Sequence, residues 1–117
     1  MKLSEIKQIL EVEIITDNKK RPDFDINRAC GSDLMSDVLA FVKPDALLLT
    51  GLTTIQVIYT ADASGIKVVC FVRGKKPPRE TVALAKEKKI TLLSTKMSMF
   101  DSCGKLFNNG LMGFSHN

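Results

Sequence analysis

Apolar residues recur along this chain in two alternating rhythms. Three short runs are apolar at almost every position. Leu47-Leu48-Leu49 leads into Thr50-Gly51, Val68-Val69-Cys70-Phe71-Val72 into Arg73-Gly74, and Ile90-Thr91-Leu92-Leu93 into Ser94-Thr95. Runs that are apolar on both faces predict strands covered on both sides, the habit of parallel sheets. Between them the apolar positions fall at helical spacing. Strand–helix alternation of this kind predicts an α/β fold of three α/β/α layers around a mainly parallel, mixed sheet.

The remaining elements follow from the same periodicities. Leu3, Ile6, Ile9 and Leu10 predict an amphipathic opening helix, and Val12–Thr16 an edge strand. Asp17 to Asp25 is polar, contains Pro22 and predicts a loop; Ile26–Cys30 predicts a short strand. The edge strands at Val12–Thr16 and Ile26–Cys30 are both candidates to run antiparallel. Ser32 is placed to cap a helix, with Asp33 in its first turn. Leu34, Val38 and Phe41 form one apolar row of that helix, and Met35, Leu39 and Val42 another. Pro44 ends it before the strand Ala46–Thr50.

Thr53 or Thr54 caps the next predicted helix, Thr54 to Ala63, with Ile55, Ile58, Tyr59 and Ala63 as its buried face and Gly65 as its stop. The strand Lys67–Val72 and the basic loop Gly74 to Pro78 follow. The next helix reaches about Lys88, with Val82, Ala85 and Leu84 inward, and the strand Ile90–Leu93 comes after it. The last helix spans Ser98 to Asn109, with Met99, Cys103, Leu106 and Phe107 inward and Gly110 as its stop. Beyond it, Leu111-Met112-Gly113-Phe114 is apolar and packs back on the sheet or onto a partner chain. Residues 1–114 read as one domain, and 115–117 as a loose tail.

Composition narrows the function. The 117 residues are 44% hydrophobic, enough for a real core. No signal-peptide block and no apolar run of roughly 20 residues appears, so the expectation is a soluble, cytoplasmic protein without a membrane partner. Cys30, Cys70 and Cys103 are widely spaced and the one histidine is His116, so no metal site and no cofactor is implied. Net charge is +4 but uneven: residues 1–60 carry seven basic and nine acidic groups, residues 61–117 ten basic and four acidic. A basic half can attract phosphate or nucleic acid. With no Trp and one Tyr, the stacking set that single-stranded nucleic acid needs is missing.

The polar residues that end the three apolar runs are the candidate site, because ligands of open α/β sheets bind outside the strand carboxyl ends. The set is Thr50, Gly51, Thr53, Thr54, Arg73, Gly74, Ser94, Thr95 and Asp33. Gly51 to Thr54 joins a strand to a helix, where amides and hydroxyls can meet a phosphate; the competing reading is a tight turn with a threonine cap. Arg73 and Lys75 could clamp a phosphate, or simply keep a surface loop soluble. Asp33 and Asp37, four apart, read as a cap plus a solvated face, or as a carboxylate pair for a cation or for acid–base work. No P-loop, no nucleophile–base pair and no catalytic residue is evident.

The run Ser32-Asp33-Leu34-Met35-Ser36-Asp37-Val38-Leu39-Ala40 followed by Leu47-Leu48-Leu49-Thr50-Gly51-Leu52-Thr53, with Val69-Cys70-Phe71-Val72-Arg73-Gly74-Lys75 and Leu92-Leu93-Ser94-Thr95-Lys96, resembles the DRTGG domain over nearly the whole chain. Thr50-Gly51 matches the signature; Leu52 stands at the second glycine, and no Asp-Arg dipeptide occurs. The resemblance implies a stand-alone copy with the fold of the N-terminal domain of HPr kinase. It also implies a regulatory or assembly module, a homodimer or one docked on a larger enzyme or sensor protein, rather than a catalyst. The expectation is therefore a non-catalytic module with an anionic small ligand at the strand ends. The alternatives are an enzyme acting on a phosphorylated small molecule and, third, nucleic-acid binding.

Overall fold

The structure is a computed structural model and describes residues 1–17 and 23–115. Much of the loop expected between Asp17 and Asp25, and most of the tail expected at 115–117, lies outside the described residues. Ten elements alternate along the chain: α1 (Leu3–Leu10), β1 (Glu13–Thr16), β2 (Arg28–Gly31), α2 (Met35–Phe41), β3 (Ala46–Thr50), α3 (Ile55–Ala63), β4 (Val68–Phe71), α4 (Arg79–Lys88), β5 (Thr91–Ser94) and α5 (Met99–Asn108).

The five strands form one mixed sheet in the order β1-β5-β4-β3-β2. β2 through β5 are parallel, and β1 runs antiparallel to β5. β2 is parallel to β3, which corrects its candidacy as an antiparallel edge strand. Its connection through α2 is a crossover, and a crossover returns the chain in the same direction. The central strands β3, β4 and β5 are buried at every position, as their uninterrupted apolar runs require.

Successive crossovers move one way across the sheet, so right-handedness puts α2, α3 and α4 on one face. α1 and α5 cover the other. Side chains that alternate along the strands therefore feed two cores. Leu48, Val69, Phe71 and Leu92 pack beneath α2–α4, and Leu47, Leu49, Val68, Cys70 and Leu93 beneath α1 and α5. Each fully buried Leu, Val or Phe contributes about 1.5–3 kcal/mol to folding. The three-layer α/β/α architecture follows directly.

Several local expectations are corrected. Ser32 is not a helix cap: α2 starts later, with Leu34 at its N-cap, and the Ser32 hydroxyl accepts the Leu34 N–H (3.0 Å) in a tight side-chain turn. Asp33 therefore precedes the helix, and Asp33 and Asp37 are not a pair on one helical face. On α2 the buried stripe is Met35, Val38 and Val42, while Leu34, Leu39 and Phe41 are exposed. On α3, Val57, Ile58, Thr60 and Ala61 face inward, and Ile55 and Tyr59 point out. On α4, Thr81 and Ala85 are buried, with Val82 and Leu84 at the margin. On α5, Ser102 and Leu106 are buried and Phe107 is exposed.

Two glycine stops sit where expected. Gly65 follows α3 at φ 72° and lies against Pro44, whose ring a Cβ would meet at 3.0 Å; Gly110 follows α5 at φ 101°. The apolar tail packs back on the sheet. Ala29 N–H donates to Met112 O (2.9 Å), Arg28 donates to Gly113 O, and the Arg28 guanidinium lies 5.5 Å from the Phe114 ring centroid.

Candidate functional site

Because β2 to β5 are parallel and in register, their carboxyl ends Gly31, Thr50, Phe71 and Ser94 lie along one edge of the sheet. Four connections leave that edge. Three turn toward α2, α3 and α4; the one after β5 turns to α5, on the opposite face. A crevice opens where neighbouring connections part to opposite faces. Here it falls between β4 and β5, and the chain closes it with its own backbone.

The closure is the turn Val72-Arg73-Gly74-Lys75. Arg73 (φ 60°) and Gly74 (φ 68°) are both left-handed, and Lys75 N–H donates to Val72 O (3.3 Å), a type I′ turn. Arg73 N–H donates to Met97 O (2.9 Å) and Gly74 N–H to Thr95 O (2.7 Å). The Ser94 hydroxyl donates to Lys75 O (2.9 Å). These bonds hold a non-glycine residue in a region that costs about 1–2 kcal/mol. They also occupy the turn amides, so the contribution of Arg73 to any ligand is its side chain.

The candidate hydroxyls are engaged within the fold. Thr95 is 1% exposed and donates to Leu10 O (2.6 Å), on the α1 face of the sheet. Thr50 is 0% exposed and faces the α2–α4 side. Thr50 and Thr95 thus share the carboxyl edge but turn to opposite faces of the sheet. Thr54 is the N-cap of α3 without a side-chain cap bond, and Thr53 contributes its carbonyl, which accepts the Thr81 hydroxyl (2.8 Å).

What the edge does bring together is Asp33, Thr50, Gly51 and Lys75. One oxygen of Asp33 accepts both the Thr50 hydroxyl (3.0 Å) and the Gly51 N–H (2.7 Å). Thr50 Oγ1 in turn accepts the Leu52 N–H (3.1 Å). From the other side, Lys75 Nζ donates to Gly51 O (3.2 Å). A Cβ at Gly51 would lie 3.4 Å from Asp33 Oδ2 and 3.6 Å from Lys75 Nζ, so the acid and the base bracket this glycine. Asp33 is an internal anion on the very amide that a bound anion would use. Lys75 was missing from the expected contacts on the glycine turn; the signal for it was its place one residue after the Arg73-Gly74 turn. Lys96 lies over Gly74, its Cγ 4.0 Å from the Cβ position, and adds a third cation to the exposed Arg73 and Lys75.

The thiols are poor nucleophiles. Burial pushes Cys70 up to about 12, and burial also raises Cys30, with neighbouring Cys103 adding to it, and Cys103 itself. Among the described residues no group of three His, Cys, Asp or Glu side chains is placed to hold a metal ion, and no helix is long and apolar enough to cross a membrane.

No protein-family model matches the chain, and no curated protein matches it in sequence. Among solved structures it is similar to the CBS and DRTGG domains of the regulatory region of Clostridium perfringens pyrophosphatase, determined with its activator diadenosine tetraphosphate. The TM-score is 0.76 at 17% identity, over 97% of this chain and 51% of that one, so this chain spans about half the length of the structure it matches. The likeness is one of fold: a DRTGG-like α/β architecture found in the regulatory part of an enzyme.

Proposed function

We propose that this chain is a non-catalytic regulatory module of the cytoplasm. It takes a small phosphate-containing anion at the carboxyl edge of its sheet and assembles with a second copy or with a larger enzyme or sensor. The observation that carries this reading is the cluster at the strand ends, where Lys75 reaches the Gly51 turn held by Asp33 and the exposed Arg73 and Lys96 belong to the neighbouring Gly74 turn. The regulatory, nucleotide-bound setting of the structural neighbour supports it.

The geometry suggests how occupancy would be read out. Asp33 belongs to the β2–α2 connection, Gly51 to β3–α3 and Lys75 to β4–α4, so one small cluster ties three connections together. A phosphate drawing Lys75 off the Gly51 carbonyl loosens the tie between the β3–α3 and β4–α4 connections and frees α4 to shift, while Asp33 still holds the β2–α2 connection to Gly51. A ligand moves such an equilibrium only by its differential affinity for the two arrangements. The one hydroxyl–carboxylate pair in this cluster, Thr50 with Asp33, has its hydroxyl fully buried, out of reach of a bound ligand, which favours binding over turnover.

The test is thermal stabilisation by inorganic phosphate, AMP and diadenosine tetraphosphate, since a ligand of the native state raises its melting temperature. A shift is expected in the wild type and should be lost in Arg73→Ala/Lys75→Ala. A shift unchanged in that variant places the ligand elsewhere; no shift with any of the three compounds overturns the anion reading.

A further inference from the structure

The outward face of α5 is unlike the rest of the surface. Phe100 is 85% exposed and Phe107 64%, whereas soluble surfaces seldom carry two such rings on one short helix. Between them lies Gly104, in the helix interior, where glycine weakens a helix relative to alanine. Nothing within this chain asks for that glycine: a Cβ there would have no neighbour within 4 Å. Beside it runs a groove of about 390 Å3, lined by Met97, Phe100, Asp101, Gly104, Lys105 and Asn108. The helix therefore carries a knob, a notch, an acid and a base on one face.

We propose that this face is a two-fold homodimer interface, in which Phe100 of each copy fills the groove over Gly104 of the other. The inference deepens the assembly half of the proposed function and rests on that half alone. A two-fold contact requires both complementary halves on the same surface, and α5 has them. Phe100 precedes Gly104 by four residues, about 6 Å along the axis. An antiparallel copy related by an axis at the level of Ser102 sets each Phe100 at its partner's notch. The same operation brings Asp101 of each copy within lysine reach of the partner's Lys105. That pairing matters for a chain of net charge +4, which otherwise repels its copy. A larger client protein would need no such self-complementarity, and is the competing occupant. One ten-residue helix gives a contact at the low end of specific interfaces, so the dimer is reversible.

Sedimentation velocity over a concentration series decides it. The wild type is expected to pass from monomer to dimer. Gly104→Gln, which fills the notch while favouring the helix, and Phe100→Ser, which removes the knob, should each weaken the dimer by about tenfold or more. Both variants should melt as cooperatively as the wild type at monomeric dilution. Asp101→Lys and Lys105→Asp should each weaken association, and the double variant should restore it. A wild type that stays monomeric throughout overturns this interface and the second-copy arm of the proposed function, and leaves a larger client as the one remaining partner. A dimer indifferent to Gly104→Gln and Phe100→Ser overturns this interface alone. The phosphate response reports on neither.

Discussion

Replacing Asp33 with alanine should pull stability and anion affinity in opposite directions. The Asp33 oxygen accepts two bonds, from the Thr50 hydroxyl at 3.0 Å and the Gly51 N–H at 2.7 Å. The Gly51 amide is near solvent, so water can replace its partner at little cost. Thr50 is fully buried and its hydroxyl has no such recourse. A buried donor left unsatisfied costs about 1–3 kcal/mol, and the net loss for Asp33→Ala should be about 2 kcal/mol. For a chain of this size that is a fall in Tm of about 10 °C. In a Thr50→Val background the stranded hydroxyl is gone, and the same substitution should cost only about 0.5 kcal/mol, the rest being coupling between the two side chains. At the same time Asp33→Ala removes the internal anion from the Gly51 amide, so phosphate should bind more tightly than to the wild type. Chemical denaturation gives the stabilities and calorimetric titration the affinity. An equal cost in both backgrounds would refute the buried-hydroxyl argument, and a weakened phosphate response would refute the role of Asp33 as a competing anion.

Other predictions follow from packing and burial. Gly65→Ala forces a Cβ onto a residue at φ 72° and to 3.0 Å from the Pro44 ring, and should cost about 2 kcal/mol in denaturant unfolding. Gly104→Ala, with open space at its Cβ, should instead stabilise by about 0.5–1 kcal/mol. Cys70 is held protonated by burial, its value raised from 9.0 to about 12 in the folded state. Its contribution is fully present below pH 9 and is lost as pH rises toward 12, because the unfolded chain ionises first. The loss is at most about 4 kcal/mol. Cys70→Ala should flatten the fall in stability across that window relative to the wild type, and an unchanged slope would contradict the assignment.

The sheet was legible because full burial and strand formation make the same demand on sequence. Leu47–Leu49 and Val68–Val72 are apolar on both faces, which only a covered strand explains. Helix faces were less legible. On α2 and α3, apolar residues stand on more than one side, so spacing alone could not separate Val38 from Phe41 or Ile58 from Tyr59. The residues that misled, among them Tyr59 and Phe107, are the exposed ones, and on α5 they mark the surface assigned here to self-association. The site was legible as an edge but not as a set of contacts. Thr50 and Thr95 are alike in sequence, each ending an apolar run. A shift of one residue in where the run ends sends them to opposite faces. The role of Asp33 was hidden because its acceptor geometry depends on the end of a neighbouring strand, β3, rather than on the start of the helix expected to follow Ser32.

Amide shift mapping during a phosphate titration tests the central claim most directly. Perturbation should concentrate at Asp33, Gly51, Gly74, Lys75 and Lys96, along the carboxyl edge, and vanish in Arg73→Ala/Lys75→Ala. Shifts clustered instead at the opposite edge around Arg28 and Lys43, or none at saturating phosphate, would contradict the account.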